Sequence, residues 1–215
     1  MCIRDRFDVD NFDEFTIKSI QKAEVAIEFT RPEGAADNIK KCIEAGVPVV
    51  CGTTGWLDKK EEIDALCIEK GSAFFYASNY SVGVNIFFAL NKFLAKMMNE
   101  QPQYTLETEE IHHTQKLDAP SGTSITLAEG IIENISNKTA WVNKASKAKS
   151  KVPIISKRIE KVPGTHSIHY QSIIDDIEIK HTAHSRAGFA GGAIQAAQWI
   201  IGKKGVFGMS DLLGF

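Results

Sequence analysis

The run His112-His113-Thr114-Gln115-Lys116-Leu117-Asp118-Ala119-Pro120-Ser121-Gly122-Thr123 places two imidazoles, an ammonium, a carboxylate and a Pro-Ser-Gly-Thr turn within twelve residues. Histidines and a lysine in a loop exchange protons with a substrate near neutral pH. The turn opens onto Ile125, Leu127, Ala128, Ile131 and Ile132, an apolar run with helical spacing. The free N–H groups at a helix start attract carboxylates. Proton donors beside such a cradle point to a small acidic substrate that is protonated during reaction. The plainer reading is a capped helix after a loop with incidental histidines.

The elements that must position these groups fall into two regions. Val25–Phe29 reads as a strand, Glu33–Ala45 as a helix and Val47–Cys51 as a strand ended by Gly52-Thr53-Thr54-Gly55. Asp58 with Glu61 forms a capping-box pattern for a helix running to about Lys70, and Gly71 stops it before the strand Ala73–Ala77. This β-α-β-α-β order predicts a Rossmann-like parallel sheet, whose ligands bind beyond the carboxyl ends of its strands. Phe29-Thr30, Gly52-Thr53-Thr54 and Asn79 should lie there. A long helix is expected from Val82 to Met98, with apolar residues at Val84, Phe87, Phe88, Leu94 and Met97. Beyond it, Tyr104–Ile111, His166–Ile174 and Asp176–Lys180 look extended without βα alternation, which predicts a separate α+β unit. The loop Asn143–Lys151, with Lys144, Lys147, Lys149 and Lys151, reads as solvated, and Gly192–Ile201 as an apolar helix in need of a partner surface.

Composition narrows the class. The chain has 215 residues, is 43% hydrophobic and 24% charged, and carries a net charge of −2. Nothing in that balance suggests nucleic acid as a partner, and no apolar run is long enough to span a bilayer. No signal-peptide pattern is present, so the expected location is the cytoplasm. The cysteines at 2, 42, 51 and 67 make no C-x-x-C pair and read as reduced and structural. His112 and His113 have no matching carboxylate or second histidine site in the sequence, so no metal is expected.

The segment from the acidic lead-in, Glu109 or Glu110, through Thr123 resembles the E-x-H-H-x-x-K-x-D-A-P-S-G-T signature of the dihydrodipicolinate reductase family. Three further motifs are similar to that family's in the same order. They are Glu28-Phe29-Thr30-Arg31-Pro32-Glu33, Gly52-Thr53-Thr54-Gly55 and Ala77-Ser78-Asn79-Tyr80-Ser81-Val82-Gly83-Val84-Asn85. The resemblance implies reduction of 4-hydroxy-tetrahydrodipicolinate by NADH or NADPH in the diaminopimelate route to lysine. It implies His112 as proton donor and acceptor, Lys116 as proton donor, and His113, Gly122 and Thr123 as holders of the substrate's carboxylates. Gly52, Thr53, Thr54, Ala77, Ser78, Asn79 and Tyr80 would contact the cofactor, with Phe29 and Thr30 as weaker candidates. It further implies a cofactor domain of residues 1–80 and 187–215, a substrate and oligomerisation domain of 81–186, and a homotetramer built through the α+β sheet. Arg186 matches the family's H-x-A-x-x-R, where it would brace the hinge or pair with a carboxylate. Arg158, Gly164 and His166 match parts of an R-x-G-x-x-x-G-x-H pattern, with Glu160 where its middle glycine is expected.

One departure stands out. The first glycine of the chain is Gly34, so no G-x-G-x-x-G turn follows a first strand, and residues 1–6 fit no expected pattern. An N-terminally truncated member is expected, binding the cofactor weakly, with Asp8 or Asp10 as a remnant of the ribose-binding acid. Two alternatives stay open: another two-domain nicotinamide oxidoreductase, or an inactive fragment that keeps the oligomerisation domain.

Overall fold

The computed structural model describes residues 6–7, 11–185 and 187–215. Asp8, Asp10 and Arg186 lie outside the described residues. The chain divides into two compact units, 1–82 with 187–215, and 83–186.

After a 3₁₀ turn at Phe12–Glu14, the first unit runs α1 (Ile17–Ile20), β1 (Ala26–Glu28), α2 (Pro32–Glu44), β2 (Val49–Cys51), α3 (Lys60–Glu69) and β3 (Ala73–Tyr76). Pro32 opens α2 at its first turn, where a missing N–H costs nothing. Asp58 and Glu61 form no capping box. A 3₁₀ turn at Leu57–Lys59 leads into α3, whose N-cap Lys59 makes no side-chain cap bond.

The second unit holds α4 (Val82–Met98), β4 (Thr105–His112), α5 (Gly122–Asn134), β5 (Ala140–Val142), β6 (Lys151–Arg158), β7 (Gly164–Gln171) and β8 (Asp176–Ala183). The chain then returns to the first unit with α6 (Ala187–Ile200), β9 (Gly205–Phe207) and α7 (Met209–Leu213).

The first unit's sheet has the order β1-β2-β3-β9 with every pair parallel. Its central strands β2 and β3 are apolar on both faces, as strands covered on both sides require. Val49, Cys51 and Phe74 pack with Ile39, Ile43, Trp56, Ile63 and Cys67, largely from α2 and α3. Val50, Ala73 and Phe75 pack with Ala193, Ala196, Ala197 and Ile200 of α6. The apolar C-terminal helix thus finds its partner in the second face of the sheet. Cys42, Cys51 and Cys67 are free and buried, and burial pushes the Cys42 thiol up to about 12.

The second unit's sheet has the order β5-β6-β4-β7-β8. Phe87, Leu94, Ala95 and Met98 of α4, with Leu127, Ala128 and Ile131 of α5, share its core with Val152, Ile154, Ile168 and Tyr170. Met98 is buried and Met97 is half exposed, so the inward residue at the end of α4 is one position later than the spacing predicts. β6 begins within the stretch read as a solvated lysine loop.

Candidate active site

In the first unit the strand ends line up. Glu28 pairs with Cys51 and Cys51 with Tyr76 in register, so 29–30, 52–54 and 77–80 leave the sheet side by side. The Gly52 backbone lies under the Phe29 ring: a Cβ at 52 would stand 2.2 Å from that ring, so any larger residue has to push the exposed ring aside. Phe29, Thr30, Pro32, Gly52, Thr53 and Thr54 line a depression of about 290 Å³. An aromatic ring and threonine hydroxyls at the carboxyl ends of parallel strands suit a flat heteroaromatic ring and its ribose. A larger depression, about 420 Å³ beside Gly34, Asp37, Asn38, Lys40 and Lys41, holds none of the motif residues.

The expected cofactor residues differ in what they have free. Thr54 and Ser78 are exposed and Asn79 is half-buried. Asn79 Oδ1 accepts from the Ser81 N–H at 2.9 Å. Buried Thr53 accepts from the Thr30 N–H at 2.8 Å through its hydroxyl, stitching the ends of β1 and β2 together. The buried Tyr80 hydroxyl donates to the Cys51 carbonyl at 2.6 Å and its ring packs on Phe29 and Phe75. Ala77 is buried, its N–H on the same Cys51 carbonyl at 3.3 Å. These last three brace the strand ends.

In the second unit, β4 alternates. Glu109 points to the side where Lys157 pairs with it, and Glu110 points inward, fully buried. Register sets Glu110 opposite His166 of β7, and His112 opposite Arg158 of β6. Glu110 therefore gathers the site. Its carboxylate accepts from Ser121 N–H (3.0 and 3.2 Å), Ser124 Oγ (2.8 Å) and Ser156 Oγ (2.7 Å). Arg158 Nη1 stands 3.6 Å from it. Burial pushes this carboxyl up, but the three serines outweigh burial and hold it down at about 2.

His112 is buried, with Nδ1 3.5 Å from Glu110 Oε2 and its ring edge-on to His166 at 5.0 Å and 72°. Burial holds His112 below the ordinary imidazole value; Lys116 and Arg158 act in the same sense, and Glu110 opposes them. Burial, with His112 next to it, takes His166 down to about 4. On the far side of His112, Gly164 would put a Cβ 3.3 Å from Nε2. Glu110, His112 and His166 offer one ligand atom each within 4.8 Å of one another, so the fold supplies the carboxylate and second histidine that the sequence did not reveal. Both carboxylate oxygens are already taken by N–H and O–H donors, and the Arg158 guanidinium beside Oε1 already offsets the carboxylate's charge.

Ser121 caps α5, its hydroxyl accepting from the Ser124 N–H at 3.2 Å. Gly122 and Thr123 are the next two residues, whose N–H groups lie in the turn without intrahelical acceptors. Nothing stands within 4 Å of a Cβ at Gly122, so open space adjoins the helix start. His113 is half-buried. Lys116 Nζ donates to both oxygens of Asp118, at 2.8 and 2.9 Å. Arg158 fastens the same loop, donating to the Lys116 and Asp118 carbonyls at 3.4 and 2.6 Å. Arg158, Gly164 and His166 match only parts of the R-x-G-x-x-x-G-x-H pattern, with Glu160 at its middle glycine. The fold gathers all three about Glu110 and His112.

Two family models match the chain: "Dihydrodipicolinate reductase, N-terminus" over residues 4–80 and "Dihydrodipicolinate reductase, C-terminus" over 83–213. The 4-hydroxy-tetrahydrodipicolinate reductase of Christiangramia forsetii is 49% identical over 209 residues, covering 96% of this chain and 84% of the relative. That of Chromobacterium violaceum is 38% identical over 207 residues, covering 92% and 76%. A solved structure of a dipicolinate-bound dihydrodipicolinate reductase from Paenisporosarcina sp. has the same fold, with a TM-score of 0.75 at 24% identity, covering 94% of this chain and 77% of that one.

Proposed function

The chain belongs to the dihydrodipicolinate reductase family, and on that premise we propose how its residues divide the work. The protein is an NAD(P)-dependent oxidoreductase that reduces 4-hydroxy-tetrahydrodipicolinate on the diaminopimelate route to lysine. Reduced nicotinamide, as NADH or NADPH, supplies a hydride to the conjugated cyclic imine formed when that substrate loses water. Gly52 lets the Phe29 ring lie close over the strand end where the cofactor would sit, and Thr54, Ser78 and Asn79 offer polar groups, while Thr53, Ala77 and Tyr80 hold the strand ends in place.

His112 carries the proton that completes the reduction, and Lys116 donates alongside it. His113 and the N–H groups of Gly122 and Thr123 hold the substrate's carboxylates. One observation carries this division: Glu110 binds the Ser121 N–H at the start of α5 and faces His112 at 3.5 Å, so acid and anion cradle hang from one carboxylate. An assay of NADH and NADPH consumption with freshly made substrate tests it. The double change His112→Ala with Lys116→Ala should lower kcat/KM by about 10³-fold or more, the scale of lost general acid catalysis. Activity surviving that double change removes the assignment.

The enzyme works in the cytoplasm as a homotetramer. Supporting the assembly, Ile86, Leu90, Phe93 and Met97 form an apolar stripe on α4, each 45–62% exposed. Light scattering on the eluting protein decides the mass.

A further inference from the structure

We infer that Glu110 is the positioning residue for His112, holding the ring with Nδ1 toward its carboxylate and Nε2 on the Gly164 side. The inference rests on the reading of His112 as the proton carrier and adds the group that orients it. His112 Nδ1 is buried without a hydrogen-bond partner, and it faces Glu110 Oε2 at 3.5 Å. A shift of about half an ångström closes that gap to an ordinary N–H···O distance. The carboxylate is not free to drift: the Ser121 N–H, Ser124 Oγ and Ser156 Oγ fix both of its oxygens. A carboxylate so held favours the tautomer with the proton on Nδ1 and steadies the imidazolium, leaving Nε2 to exchange protons outward.

The other charges around the ring cannot take this part. Lys116 and Arg158 are cations that disfavour the imidazolium, and Asp118 is tied up by Lys116. His166 meets His112 edge-on, and His181 of β8 acts on His166. Two anions oppose burial at His112, and Glu110 is the stronger, with Asp118 the weaker and already paired with Lys116.

The test is Glu110→Gln, read in two ways. The amide keeps the shape, and the Ser124 and Ser156 hydroxyls can rotate to accept from it. The first readout is the NMR titration of the His112 ring, assigned by its loss in His112→Ala. Its midpoint should fall by about one pH unit, and Glu110→Asp should recover part of the shift. The second is the pH–rate profile, whose alkaline limb should move to lower pH by the same amount, costing about tenfold in kcat above the midpoint. An unmoved His112 midpoint overturns the inference. A midpoint that moves while the pH–rate limb stays put upholds the Glu110–His112 coupling and overturns His112 as proton carrier. If Glu110→Gln does not fold, Ser124→Ala serves instead. It strips a donor from the oxygen facing the ring, so the His112 midpoint should rise, and no rise overturns the inference.

Discussion

The Lys116 ammonium grips both carboxylate oxygens of Asp118, two residues on in the same loop. The cation assigned to proton delivery therefore already holds an anion, and a substrate carboxylate has to compete for it. The pair is partly exposed, and such pairs are worth about 0.2–1 kcal/mol. Asp118→Asn should lower the KM for the dicarboxylate by up to about fivefold with kcat little changed. Steady-state kinetics at fixed cofactor reads this, and a raised KM would mean that Asp118 instead orients Lys116 for substrate.

Gly164 leaves room for His112. A methyl there would stand 3.3 Å from Nε2, tighter than ordinary van der Waals contact, so the ring must give by a few tenths of an ångström. Displacements on that scale cost rate more than stability, and Gly164→Ala should lower kcat about tenfold. The melting temperature should hardly move. A full-rate variant would show that His112 tolerates the shift.

Two adjacent glycines of α6 should respond in opposite ways. A Cβ at Gly192 would lie 1.7 Å from the Tyr80 carbonyl oxygen, a backbone atom that cannot step aside. Gly192→Ala should destabilise the first unit by about 3 kcal/mol or more. A Cβ at Gly191 meets nothing within 4 Å, and Gly191→Ala should gain about 0.5–1 kcal/mol of helix propensity. Urea midpoints of the two variants check both signs.

Acid should unfold the protein in two stages. His166 titrates at about 4 when folded against an ordinary 6.5, and Glu110 at about 2 against 4.5. In both windows the unfolded chain binds more protons, so stability is full above the ordinary values and is lost as pH falls. The loss begins below about pH 6.5 through His166 and deepens from about 4.5 down to 2 through Glu110, each stage on the order of 3 kcal/mol. His166→Asn should shrink the earlier stage to the part that His112 and His181, also held down by burial, still carry, and leave the later stage unchanged. Urea midpoints across pH would contradict this if the variant lost as much between 6.5 and 4 as the parent protein.

Much of the architecture was legible locally. The run from His112 to Thr123, the βαβαβ alternation and the span of α4 are written in spacings shorter than one element, where side-chain period and turn residues decide. Both β6 and β9 escaped that reading. β6 starts among lysines, and β9 is three residues held by pairing with β3.

The sequence by itself determined which reactive side chains exist and that two imidazoles and an ammonium stand within a few residues of a helix start. The E-x-H-H spacing fits Glu110, two residues before His112, but it left open what Glu109 and Glu110 each meet. Only the pairing of β4 with β6 and β7 decided that, because alternate residues of a strand face opposite ways and register with distant strands chooses the company of each. It turned Glu109 toward Lys157 and Glu110 toward His112, Arg158, His166 and the cap of α5. Burial then set the titration of those groups, a quantity no spacing in the chain encodes.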